Sequence, residues 1–261
     1  AARALANPDD VKSLAGGAFR TVFNQMHEYE SVTMAMEVMA DHSSCSWGNS
    51  AMRDMSWEPR INGFNNNLTY AYFPTIRSNW QNTYAAVSSV NSVLQQMFAT
   101  EGAVDFGDDA KMVEAFCYFV SGISHGWLGL SYDQANIIKW DTDLLGLSLK
   151  PWEEVVTASL EMLDMAIDIA DNNTFVLPEK WVAGAFENNC TNVEFSQLAN
   201  AYAARIMASQ SRTKAHNDAL DWNQIKTYAE NGLTTDFAPE VGDAYEWYDF
   251  SWRYLRAGGW A

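Results

Sequence analysis

Positive charge is scarce in this chain. Lys and Arg total 16 against 33 Asp and Glu, a formal net charge of −17 over 261 residues. A nucleic-acid partner selects for clustered Lys and Arg, so this balance excludes that class. It equally disfavours electrostatic docking on anionic lipid. Charge of both signs is thin: 19% of residues, against roughly 25% in an average soluble domain. Cysteine is limited to Cys45, Cys117 and Cys190, an odd number without a C-x-x-C pair, which excludes a disulfide scaffold. Long apolar runs are missing too. One stretch free of Asp, Glu, Lys and Arg, Ala115 to Tyr132, is broken by Ser121, Gly122, Ser124, His125, Gly126, Gly129 and Ser131. It reads as a buried helix and the turn after it, not as a membrane span. No run of alternating strand pattern stands out. The chain does not begin with Met, and its first six residues lack an apolar signal core, so it is expected to be processed or a fragment.

What is present is apolar, aromatic and amide-rich. Hydrophobic residues make up 48% and aromatics 13%, with 11 Trp and 20 Asn. A chain this apolar buries enough surface to offset its ordering entropy, which excludes disorder.

The periodicity is helical nearly throughout. Asn7-Pro8 opens a helix to about Gln25, with Asn as cap and Pro at the first helical position. A second is expected over about Tyr29 to His42, its Met34, Met36 and Met39 filling a core gap. Ile76 to Phe98 carries Trp80, Tyr84, Val87, Asn91, Leu94 and Phe98 at steps of three or four. Further helices are expected at about Asp109 to His125, from Pro151 through Ala170, over Asn192 to Ser209, and after Asp221. On the helix after Pro151, Glu161, Asp164, Asp168 and Asp171 share an acidic face that reads as solvated. Paired helices with Trp80-x3-Tyr84, Tyr202-Ala203-Ala204 and Trp222-x5-Tyr228-Ala229 are similar to tetratricopeptide units. The expected fold is therefore all-α: paired antiparallel helices resembling tetratricopeptide repeats, with a long irregular loop after the second helix.

The order of these features carries a resemblance. Asn-Pro starts the first helix, the second ends at Asp41, and a long aromatic loop leads to Trp80-x3-Tyr84-x6-Asn91. Then come Glu114-Ala115-Phe116-Cys117-Tyr118-Phe119 running to Gly126, Trp152-Glu153-Glu154-Val155, Ala199-x2-Tyr202-Ala203-Ala204-Arg205, and Asp221-Trp222. From about Asn7 to Leu233 this resembles the N-terminal part of the SusD/RagB family. The resemblance implies that residues 1–261 form one helical SusD-like domain, the N-terminal part of a longer chain. It implies a lipid-anchored protein on the outer face of the outer membrane. Such a protein captures glycan or peptide oligomers and delivers them to a SusC-like TonB-dependent β-barrel transporter, without enzymatic activity or cofactor. The anchoring Cys would lie upstream of Ala1.

The loop between Ser43 and Pro74 is where a ligand is expected, because long loops in compact domains are often functional. Asp41, Trp47, Arg53, Trp57, Arg60, Asn62, Asn65 and Asn66 fall within about two dozen residues. Sugar binding needs a flat aromatic face for the ring and Asn, Asp or Arg for the hydroxyls. That mixture is here. The alternative is that Trp47 and Trp57 pin the loop to the helices as core. Trp80, Tyr84, Trp152, Tyr202 and Trp222 sit in helical stripes and are expected in the core.

Other motifs lead elsewhere. Gly122-Ile123-Ser124-His125-Gly126 fits G-x-S-x-G, the nucleophile elbow of a serine hydrolase, but an elbow needs strand, tight turn and helix, and the surroundings are helical. Asp141-x-Asp143-x-x-Gly146 begins like a calcium loop, yet Leu145 and Trp152 stand where oxygen ligands are needed, so a turn is expected. Asp41, His42 and Cys45 have no second cluster to complete a zinc site, and no metal is expected. A helical scaffold of a surface assembly, without small ligand, is the second functional class, and a hydrolase using Ser124 the third.

Overall fold

A computed structural model describes residues 7–27, 31–44, 52–58, 63, 65, 67–98 and 103–247. Its helices are α1 (Pro8–His27), α2 (Val32–Met39), α3 (Met52–Ser56), α4 (Phe73–Phe98), α5 (Ala110–Ser131), α6 (Trp152–Asn172), α7 (Asn192–Ser209), α8 (Lys214–Asp218) and α9 (Trp222–Glu230). The fold is all-α. The described strand content includes β1 (Gln134–Ala135) and β2 (Lys150–Pro151), an antiparallel pair of two residues each.

The caps follow from residue chemistry. Asn7 Oδ1 accepts from the Asp9 amide at 3.1 Å, and Asp9 and Asp10 sit at the positive end of α1. Thr191 and Glu194 form a capping box at α7. Asp221 accepts from the Asn223 and Gln224 amides at α9. Helix α2 is shorter than its periodicity suggests. Ser31 caps it, and it ends in a Schellman pattern: the Asp41 amide bonds Val38 O, the His42 amide bonds Glu37 O, and Asp41 takes φ +57°. Met34 and Met39 are partly exposed and only Met36 packs on the core, contrary to a core role for all three.

Helix α5 runs six residues past His125 because its glycines are contact points, not breakers. A Cβ on Gly122 would lie 2.7 Å from Leu163 Cγ. On Gly126 it would lie 2.5 Å from Ile206 Cδ1 and 2.7 Å from Ser159 Oγ, and on Gly129 2.8 Å from Val156 Cγ2. Partner numbers on α6 fall as those on α5 rise, so the two helices are antiparallel and nearly in backbone contact. Ser159 Oγ donates to Gly122 O at 2.7 Å across this seam. Gly126→Ala is therefore expected to lower the unfolding free energy by about 1–3 kcal/mol through overpacking. Gly17, in α1, has nothing within 4 Å of its Cβ position. Gly17→Ala is expected to stabilise by about 0.5–1 kcal/mol. Paired urea denaturation curves check both signs.

The acidic face of α6 is not simply solvated. Asp164 accepts from Tyr228 OH at 2.7 Å and Asp171 from Ser196 Oγ at 2.7 Å, which ties α9 and α7 to α6.

After α5 the chain runs back along α4 as a strap. Tyr84 OH donates to Asn136 O and accepts from the Asn136 amide, Asn91 Nδ2 donates to Ile138 O, and Gln95 Nε2 donates to Trp140 O. Spacings of seven and four place the three side chains on one face of α4. Below them, Trp127 Nε1 donates to Asn79 Oδ1, and Asn79 Nδ2 donates to Tyr132 OH, which donates to Ile76 O. Among the described residues no helix is long and apolar enough to cross a membrane.

Candidate functional site

The loop after α2 is organised by α3. Met52 and Met55 are three apart, almost fully buried, and turn one face of this short helix inward. That leaves Arg53, Asp54 and Trp57 on the outer side. Trp57 is 59% exposed, so it is not a core anchor. The Arg53 guanidinium lies 5.1 Å from its ring centroid, a cation–π contact. Arg53 Nε stands 3.9 Å from Asp54 Oδ1, too far for a hydrogen bond, and is buried without a hydrogen-bond partner. Tyr72 OH donates to Asp54 Oδ2 at 3.1 Å, and the Tyr70 and Tyr72 rings meet edge to face at 5.6 Å. Burial, with the Asp54 carboxylate nearby, raises both phenols, so their hydroxyls remain protonated donors.

Of the residues singled out in the sequence, Arg53 and Trp57 are brought together. Asp41 is exposed and shapes the end of α2. Asn65 is exposed and commits its Oδ1 to the Asn67 amide, while Asn67 Oδ1 accepts from the Thr69 amide and hydroxyl. The Asn run thus builds consecutive side-chain turns. Trp47, Arg60, Asn62 and Asn66 lie outside the described residues. Asp54, Tyr70 and Tyr72 complete the cluster and were not anticipated. The signal for them was available: an Arg-Asp pair, then a Tyr-x-Tyr pair inside a polar loop.

Among the aromatics expected in the core, Trp80, Tyr84 and Trp152 are half-buried and Tyr202 is buried. Trp222 departs from this: it is 49% exposed, with its indole N–H on Asn217 O. Trp152 stacks beneath the Arg212 guanidinium at 4.7 Å.

G-x-S-x-G lies inside α5, so no strand–turn–helix elbow forms there. Ser124 is fully buried and its hydroxyl donates to Val120 O at 2.6 Å, one turn back. His125 is fully buried too. Its Nδ1 bonds Ser121 O at 2.7 Å and its Nε2 accepts from the Ile138 amide at 3.1 Å. With Nδ1 as donor and Nε2 as acceptor the ring is neutral and fully used. Burial lowers its pKa to about 4. Asp143 caps a single turn at Leu144–Gly146 through the Leu145 amide, as a turn reading expects. Among the described residues no group of three or more His, Cys, Asp or Glu is placed to hold a metal ion. Cys117 and Cys190 are free and buried, and burial pushes both thiols far up, that of Cys190 to about 12.

No protein-family model, curated protein or solved structure matches the chain.

Proposed function

We propose that this protein is a non-enzymatic binding protein of SusD-like type. It captures a glycan or peptide oligomer at the cell surface and passes it to a TonB-dependent β-barrel transporter, held to the outer membrane by an upstream lipid. The observation that carries the reading is the exposed Trp57 ring beside Arg53, whose chain neighbour Asp54 bonds the Tyr72 hydroxyl. An aromatic plate bordered by charged and hydroxyl donors and acceptors suits the apolar face and hydroxyl rim of a sugar. The order of Trp80, Tyr84, Asn91, Tyr202 and Trp222 along the chain supports the family likeness. That Tyr84 and Asn91 bond the strap to α4, with Trp80 packed against Tyr84, gives those residue types a physical reason to recur at that spacing.

Calorimetry against a panel of neutral oligosaccharides tests the reading. A saccharide that binds wild type is expected to lose at least about fivefold in affinity to Trp57→Ala, since a stacked ring contact contributes on the order of 1 kcal/mol or more. Unchanged affinity would move the site away from this loop.

A second reading, a scaffold of a surface assembly, draws on the turn after Asp143. Leu144, Leu145 and Leu149 are 63%, 98% and 51% exposed, the kind of apolar display that marks a protein contact. Silence against the whole panel, with a barrel protein still co-purifying, would favour it.

A further inference from the structure

A cavity that shares no lining residue with the loop lies where the end of α1 meets α7 and residues 233–239. It encloses about 460 Å³, and its lining includes Phe23, His27, Tyr202, Arg205, Asp236 and Phe237. The volume is in the range of small-molecule sites.

Two polar side chains face the cavity. Tyr202 is 7% exposed overall, and its hydroxyl makes no hydrogen bond among the described residues, which leaves it available to a guest in the cavity. Burial pushes its pKa up to about 12, with Arg205 acting in the opposite direction. The phenol is therefore a protonated donor, and the guanidinium is close enough to be felt. Arg205 itself is exposed and has no ion pair among the described residues. His27 also lines it, its ring 4.4 Å from that of Phe23, and burial together with Arg205 lowers its pKa, so the ring adds no second positive charge. Phe23, Leu198, Leu233 and Phe237 supply apolar wall.

We propose that this pocket binds a small carboxylate with an apolar, ring-sized body, its oxygens accepting from the Tyr202 hydroxyl and the Arg205 guanidinium. The apolar body lies against Phe23 and Phe237. A monoanion is favoured over a phosphate because the Asp236 carboxylate shares the lining and opposes a second negative charge. The site is separate from the Trp57 surface, so failure of either proposal leaves the other standing.

Hydrocinnamate and its neutral amide, titrated calorimetrically into the full chain, test this directly. Hydrocinnamate is expected to bind and the amide to bind at least about tenfold more weakly, because the amide lacks the charge that Arg205 answers. Tyr202→Phe, which removes only the hydroxyl, is expected to weaken the acid about tenfold. Arg205→Gln, on an exposed residue, is expected to weaken it at least as much. Asp236→Asn is expected to tighten it severalfold. Three results would each overturn the proposal: no hydrocinnamate binding at millimolar concentration, equal binding of acid and amide, or affinity indifferent to both Tyr202→Phe and Arg205→Gln. Circular dichroism on the same samples establishes that the variants are folded.

Discussion

Phe19→Ala is expected to lower the unfolding free energy by about 3–5 kcal/mol, the range for removing a large ring from a rigid core. Phe19 is fully buried on α1. Its ring lies 5.4–6.3 Å from those of Phe23, Phe116, Phe119, Phe237 and Trp247. Those partners come from α1, α5 and the segment after α9, so one side chain joins elements more than two hundred residues apart. Phe116 and Phe119 pass the contact on to Phe195 of α7, and Phe116 also reaches Trp181. A cavity at Phe19 cannot close easily, because rigid rings surround it and have few rotamers with which to collapse inward. Guanidinium denaturation measures the loss. Phe23→Ala is the comparison: Phe23 is only partly buried, so a smaller loss is expected there. Equal losses would mean that burial does not set the cost at this junction.

The helices were legible because their stripes are long. Asn192 to Ser209 coincides with α7, and Ile76 to Phe98 falls inside α4, which starts three residues earlier at Phe73: apolar spacing alone finds both. The end of α5 was not legible. Gly126 and Gly129 are helix breakers by propensity, and only the presence of Ile206, Ser159 and Val156 against them turns them into contact points. The same tertiary override explains Met34 and Met39, whose helical spacing predicts burial although α2 is not covered on that side. At the loop, residue types pointed to Arg53 and Trp57. The contribution of Tyr70 and Tyr72 depends on the chain folding back over α3, which no local pattern encodes. The carboxylate pocket was invisible for a simpler reason. Tyr202 and Arg205 sit in a stripe that reads as core and surface, and nothing in a stripe reports a hydroxyl left without a partner.

His125 is expected to make the fold acid-sensitive in a defined window. Its folded pKa is about 4, because burial penalises the charged ring and Lys139 acts in the same direction, while the bond to Ser121 O opposes both. The unfolded value is near 6.5. Between these pH values the unfolded chain binds a proton that the native chain refuses. Stability therefore falls as pH drops from about 6.5 toward about 4, and the contribution present at neutral pH is lost across that interval. The full span is worth about 3 kcal/mol, from about 1.4 kcal/mol per pKa unit. Structure shows what protonation would break. A charged imidazole has no acceptor at Nε2, so the Ile138 amide would face an N–H instead of a lone pair, at the point where the strap crosses from α5 to Asn91 on α4. His125→Gln separates this effect from the titration of the many carboxylates, which both proteins share. At pH 7 the variant is expected to be less stable by about 2 kcal/mol, through imperfect replacement of two buried hydrogen bonds. As pH falls from 6.5 to 4 its stability should decline less steeply, so the two curves converge or cross. Urea denaturation at half-unit pH steps measures both. Parallel curves through the window would show that His125 is not the group that titrates, whereas convergence would tie acid sensitivity to a buried side chain that bonds the strap to α5.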